Sequence, residues 1–240
     1  MIDTHIHIGQ FEEVYYDPLT VMAVITAAGV DEAVYTSTTS CKDGVLYTEI
    51  EREITAVVSC HDPLRIQPYL WYNPDYARQG LTVETAFATL PYRGFKIHPR
   101  AHLWDLGNTK TFALADELFA CAAQKSLPVL IHTGYDTLDE AQKFEPFFKQ
   151  YPAVRSILAH CRPLDQTIRL LGQYPNVYCD TAFVPKADLR RIAAAGFAPR
   201  ILPGTDFPIT HYFARGDTGG APTYAELAEQ YAADITEKTD

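Results

Sequence analysis

Eight apolar segments, each followed by a stretch of helical periodicity, predict an α/β fold of the (β/α)8 TIM-barrel type. Two observations support that class. The chain has 240 residues, close to the ~250 usual for such a barrel. No Gly-x-Gly-x-x-Gly follows a strand, which disfavours a doubly wound open sheet. No linker or low-complexity run divides the chain, so 1–240 reads as a single domain.

The first strand, 1–10, alternates: Asp3, His5 and His7 share one face, and Thr4, Ile6 and Ile8 the other. Imidazoles two residues apart on a strand project side by side, which suits either one metal ion or plain core histidines. A polar loop, 11–17, carries Tyr15 and Tyr16. Pro18 can open a helix over 19–28 that Gly29 ends. A β-rich run over 30–36 precedes a helix over 45–59, with Glu49, Glu51, Arg52 and Glu53 on its wet side. The third unit is a strand over 66–72 and a helix over 81–90. The fourth strand, 94–99, stops at Pro99, and the helix over 109–125 spaces Leu114, Leu118, Phe119 and Ala122 helically. Strands over 128–134, 154–160, 176–180 and 200–206 then alternate with helices over 138–151, 163–174, 187–195 and 224–233, with Gly196 closing the third of these helices.

The composition, 47% hydrophobic and 21% charged, is that of an ordinary globular enzyme with a large core. A formal net charge of −10 argues against nucleic acid or an anionic membrane as partner. It leaves room for an anionic small-molecule substrate, because arginines can dominate a pocket locally. Five widely spaced cysteines without a Cys-x-x-Cys pair exclude zinc-finger and thioredoxin-type motifs. Free thiols in a reducing, cytoplasmic setting are the expectation. No basic segment with an apolar run opens the chain, and no 18-residue apolar stretch occurs, so neither a standard signal nor a membrane span is expected.

The polar residues fall at strand ends. His5 and His7 close the first strand, Lys96 and His98 the fourth, and His132, His160, Asp180 and Asp206 the fifth to eighth. In a (β/α)8 barrel those ends converge on the catalytic face. Histidine, aspartate and modified lysine suit zinc or another divalent ion.

Asp3-Thr4-His5-Ile6-His7, Phe95-Lys96-Ile97-His98-Pro99, Leu130-Ile131-His132-Thr133-Gly134, Ile157-Leu158-Ala159-His160 and Gly204-Thr205-Asp206-Phe207-Pro208 resemble the amidohydrolase superfamily. The match is to its amidohydrolase-related branch of small metal-dependent hydrolases and decarboxylases, and it runs from Ile2 to Pro208. The resemblance implies a metal-bearing barrel with His5, His7, His132 and Asp206 around one divalent ion, zinc being the first choice. It places His160 beside the substrate or on a second ion. Lys96 stands where some relatives carry a carboxylated, bridging lysine, while others keep Lys-x-His-Pro without the bridge.

A divalent ion lowers the pKa of bound water toward ~7. The expected reaction is therefore attack of metal-activated water on an ester, lactone or amide, with Asp206 moving the proton and His160 orienting water or carbonyl. Arg100 and Arg162 are candidates to fork a substrate carboxylate. His98 and Trp71, with Tyr15, Tyr16 and Tyr72, are candidates to line the pocket. Asp3 and Asp180 are candidate acceptors for the second N–H of a ligand imidazole. Asp206 could instead serve as a helix N-cap, and His61, His102 and His211 read as loop residues. Three alternatives stay open: a decarboxylase or hydratase of a small unsaturated or aromatic acid, a Schiff-base lyase on Lys96, and a non-catalytic metal-binding module. Such barrels commonly pair, so a homodimer is an open expectation.

Overall fold

A computed structural model describes residues 1–216 and 220–239. β1 (Ile2–Phe11) lies against β3 (Glu32–Ser37), and parallel pairing continues through β4 (Ile66–Trp71), β5 (Gly94–Ile97), β6 (Val129–His132), β7 (Ser156–Ala159), β8 (Val177–Asp180) and β9 (Ile201–Leu202). The sheet closes on itself. Thr4 N–H donates to Pro203 C=O at 2.7 Å, Asp206 N–H to His5 C=O at 2.8 Å, and His7 N–H to Phe207 C=O at 2.7 Å. This is the expected (β/α)8 barrel.

The alternation along each strand sorts side chains into two layers. Ile6, Ile8, Tyr35, Phe95, Ile97, Val129, Ile131 and Leu158 point outward into the main core beneath the helices. Val34, Tyr69, Leu130, Ile157 and Ala159 pack together as a separate cluster within the barrel. Burying each such aliphatic or aromatic side chain contributes about 1.5–3 kcal/mol.

The helices start and stop where local chemistry dictates. α1 (Pro18–Ala27) has Asp17 as N-cap, accepting from Thr20 N–H at 2.8 Å, and Gly29 just beyond it takes φ +83°. α2 (Tyr47–Val58), α3 (Val83–Ala88) and α4 (Thr109–Lys125) follow their strands. Asn108 caps α4 by accepting from Lys110 N–H at 2.9 Å.

The helix expected over 138–151 is split: a 3-10 turn over Ala141–Phe144 precedes α5 (Glu145–Gln150). Pro146, lacking an N–H, suits the first turn of a restarted helix and not the interior of a longer one. α6 (Leu164–Gln173) and α7 (Lys186–Ile192) complete the next two units, and Gly196 at φ +91° lies in the turn after α7.

Three further expectations need correction. The loop over 11–17 contains a short strand, β2 (Val14–Tyr16), that folds back antiparallel on β1 as a hairpin. The strand over 200–206 pairs with β8 only at Ile201 and Leu202, after which 203–207 lean on β1 instead. An additional helix, α8 (Ile209–Arg215), precedes α9 (Tyr224–Thr239), and it carries the buried His211 that had read as a loop residue. Among the described residues no helix is long and apolar enough to cross a membrane.

Candidate metal centre and catalytic cavity

β1 and the segment after β9 bring their polar side chains to one buried point. His7 Nε2 lies 2.7 Å and His5 Nε2 3.1 Å from Asp206 Oδ1. The ligating atoms of His5, His7 and Asp206 all lie within 4.8 Å of one another. Donors ~2.1 Å from a tetrahedral ion are roughly 3.4 Å apart, so one divalent ion fits this site if the two imidazole–carboxylate gaps widen slightly. The far nitrogens are held too. His5 Nδ1 lies 2.7 Å from Asp180 Oδ2, and His7 Nδ1 2.8 Å from Thr36 Oγ1. The Asp180 contact puts the His5 proton on Nδ1, leaving the Nε2 lone pair toward Asp206.

The electrostatics follow from that crowding. Burial alone would raise the Asp206 carboxyl, but the His5 and His7 imidazoles hold it below the usual carboxylate range. Asp180 is lowered in the same sense, with His5 overcoming its burial. Both histidines are pushed toward their neutral forms, first by burial. Lys96, fully buried with Nζ 3.1 Å from His5 Nε2, is brought down to about 8 by desolvation, against the pull of Asp206 and Asp180.

His132 stands apart from that triad. Its ring lies nearly parallel to His98, centroids 3.6 Å apart, and His98 in turn stacks on Trp71 at 5.5 Å. His132 Nδ1 faces His160 Nε2 at 3.1 Å. His160 Nδ1 lies 3.1 Å from Ala182 C=O and so carries the proton there, which leaves Nε2 as a lone pair. Ala101 N–H donates to His98 Nδ1 at 3.2 Å, placing the His98 proton on Nε2. His160 and Asp206 reach the centre from left-handed backbone, φ +69° and +65°, a conformation costly for non-glycine residues and typical of functional sites.

Above these groups opens a cavity of about 700 Å³. Arg100, Arg162, His98 and Lys96 line it, as do Trp71, His132 and His160. The apolar wall is Phe11, Phe183, Ile209 and Phe213, with Phe183 and Phe213 edge to face at 5.8 Å. None of these four stood out in the sequence. Phe11 merely extends the alternation of β1 by one residue, and the others sit in segments with no motif.

Other candidates fall elsewhere. Tyr16 and Tyr72 are buried in the main core, and Tyr15 is on the surface. Asp3 does not meet an imidazole: it accepts from Thr205 Oγ1 at 2.7 Å, Tyr231 OH at 3.0 Å and the His5 N–H at 3.1 Å, tying β1 to the closing segment and α9.

His102 is not a free loop residue either, since its ring packs edge-on against Trp71 at 6.3 Å. Burial lowers its pKa from 6.5 to about 4, against the pull of Asp75 and Asp43. The folded state thus favours the neutral ring. The stability tied to it is present above 6.5 and is lost as pH falls from there toward 4. His102→Phe should flatten the fall in urea-derived stability between about pH 7 and about pH 4. An unchanged pH slope would refute the assignment.

Comparison with known proteins agrees with this architecture. The chain aligns at full coverage of both partners, with TM-score 0.53 and 15% identity, to an uncharacterised TIM-barrel protein of Bordetella bronchiseptica. No curated protein gives a match. The amidohydrolase family model matches residues 2–238, taking in all the strand-end histidines and aspartates described above. The barrel with imidazoles and carboxylates gathered at its mouth is therefore that of a member of the amidohydrolase family.

Proposed function

We propose that this chain is a metal-dependent hydrolase acting on an ester, lactone or amide of a small carboxylate-bearing molecule. One observation carries the reading: His5, His7 and Asp206, donors of the kind a divalent ion takes, place their ligating atoms within 4.8 Å of one another in a buried site. His5 Nε2 lies 3.1 Å from Asp206 Oδ1 and 3.1 Å from Lys96 Nζ, and His132 Nδ1 lies 3.1 Å from His160 Nε2. Imidazoles and a carboxylate are the donors zinc takes in catalytic sites. His5, His7 and Asp206 would hold one ion, and His132 with His160 offers a second position. A bound divalent ion supplies hydroxide at neutral pH by acidifying a water.

The protein's own groups do the rest. Asp206, kept ionised by its histidine neighbours, accepts the proton of the attacking water and returns it to the leaving group. Asp180 fixes the ring of His5 through its 2.7 Å contact. The buried Lys96 balances the Asp206 and Asp180 carboxylates. His98 presents its Nε2 proton toward a substrate oxygen, and Arg100 and Arg162 at the rim grip a carboxylate.

The same pocket supports a second reading, favoured by the wall of Trp71, Phe183 and Phe213: decarboxylation or hydration of a flat unsaturated acid. Stripping the protein with a chelator and reloading it with zinc tests both. Activity on a panel of esters and lactones should vanish on stripping and return with zinc. Full hydrolysis by the stripped protein would end the metal-dependent hydrolase reading, and CO₂ release without water uptake, or addition of water without cleavage, would select the second.

A further inference from the structure

We infer that Asp139 is a positioning residue for His132, setting which ring nitrogen is left bare toward His160. The inference rests on the metal reading above. Asp139 belongs to the loop between β6 and the turn leading to α5, and it is 2% exposed. Its place is fixed from several sides. Gly134 N–H donates to Asp139 C=O at 3.0 Å, Asp139 N–H to Asp136 C=O at 3.1 Å, and Asp136 N–H to Asp139 Oδ1 at 2.9 Å. That leaves Oδ2, which lies 3.9 Å from His132 Nε2.

The backbone makes room for this approach. A Cβ on Gly134 would fall 2.4 Å from Asp139 Oδ2 and 2.7 Å from its Cγ. The carboxylate thus lies across the bare face of the glycine two residues beyond the histidine it serves.

The consequence is a choice of tautomer. At 3.9 Å the Asp139 carboxylate is beyond hydrogen-bond reach of Nε2 and acts through its charge, which favours the proton on that nitrogen and leaves Nδ1 as the lone pair. His132 Nδ1 faces His160 Nε2, which is also bare because the other His160 nitrogen donates to Ala182 C=O. Two lone pairs 3.1 Å apart repel unless a cation lies between them. Without Asp139 the His132 proton can move to Nδ1, donate to His160 and satisfy the pair with no ion. Asp139 tips that balance toward a metal.

The test is a zinc titration against a competing chelator on the full chain. His132→Ala identifies the binding step in which His132 takes part. Asp139→Asn keeps the loop bond from Asp136 N–H through its carbonyl and turns an NH₂ toward His132, which reverses the tautomer preference. It should weaken that same step by about 10–100-fold, the usual cost of losing a partner to a ligand imidazole. Gly134→Ala, which displaces the carboxylate, should reproduce the loss. Asp234→Asn is the structural control, because Asp234 is a buried carboxylate held by Thr210 and Gln230 at the far side of α8 and α9. It should cost stability and leave zinc binding as it was.

Long-range ¹H–¹⁵N spectra of the zinc-loaded parent protein add a measurement that does not depend on any variant folding. They should show the His132 proton on Nε2. A proton on Nδ1, or a folded Asp139→Asn protein that binds zinc as the parent does, overturns the role of Asp139 alone. A parent protein that takes up no divalent ion overturns the metal reading and this inference together.

Discussion

Asparagine in place of Asp206 is expected to cut turnover by about 10²–10⁴-fold, the usual contribution of a positioned acid–base group. The substitution conserves shape, so the fold should survive. What changes is charge: two imidazoles aim at Oδ1, His7 at 2.7 Å and His5 at 3.1 Å, and a neutral amide no longer offers them or a cation a full negative partner. Metal content separates the two roles the residue could play. Loss of zinc along with turnover makes Asp206 primarily a ligand, whereas retained zinc with lost turnover makes it the proton carrier. His7→Ala provides the comparison, since His7 has no proton to shuttle in this scheme and should lower zinc content and turnover together. An Asp206→Asn protein with parental turnover would remove the residue from the chemistry altogether.

Much of this architecture was legible because barrel strands advertise themselves. An apolar run with a histidine or aspartate at its end can be recognised without any knowledge of neighbours; His132, His160 and Asp180 follow that rule, whereas His5 and His7 lie within β1, which runs on to Phe11, and Asp206 lies beyond β9. The pattern locates a residue at the catalytic face but says nothing of its partner across the barrel. Asp3 and Asp180 both looked able to hold an imidazole. Only their positions along the barrel axis separate them, with Asp3 tied to Thr205 and Tyr231 and Asp180 on His5.

The contacts that escaped the sequence belong to loops and closure. Phe183 and Phe213 carry no periodic signal, and Asp139 acts through a turn whose shape depends on Gly134. Glu53 is the clearest failure of amphipathic reasoning. It sits among charged residues on α2 and so looked solvated, yet it is buried and bonded to Ser37 and Thr39. Helical periodicity assigns a face, but it cannot see a hairpin folding over that face.

That hairpin makes Gly9→Ala the substitution with the largest expected effect on stability. Gly9 holds φ +86°, and a Cβ there would lie 2.4 Å from Thr39 Oγ1 and 2.7 Å from Glu53 Oε2. Neither atom can retreat cheaply. Thr39 Oγ1 accepts from Gln10 N–H at 2.8 Å and donates to Glu53 Oε1 at 2.8 Å, while Ser37 Oγ donates to Glu53 Oε2 at 2.5 Å. Left-handed backbone costs a non-glycine residue about 1–2 kcal/mol. Overpacking a buried site adds about 1–3 kcal/mol, so the total loss should be about 2–5 kcal/mol in chemical denaturation. Gly29→Ala separates the two contributions: Gly29 has φ +83° but nothing within 4 Å of its would-be Cβ, so it should show the backbone cost alone. Because Gly9 is two residues beyond His7 on β1, the methyl should also disturb the metal-binding strand, and zinc affinity should fall with stability. If both alanine variants lose the same amount, the buried Thr39–Glu53 contact is not what holds the hairpin to the barrel.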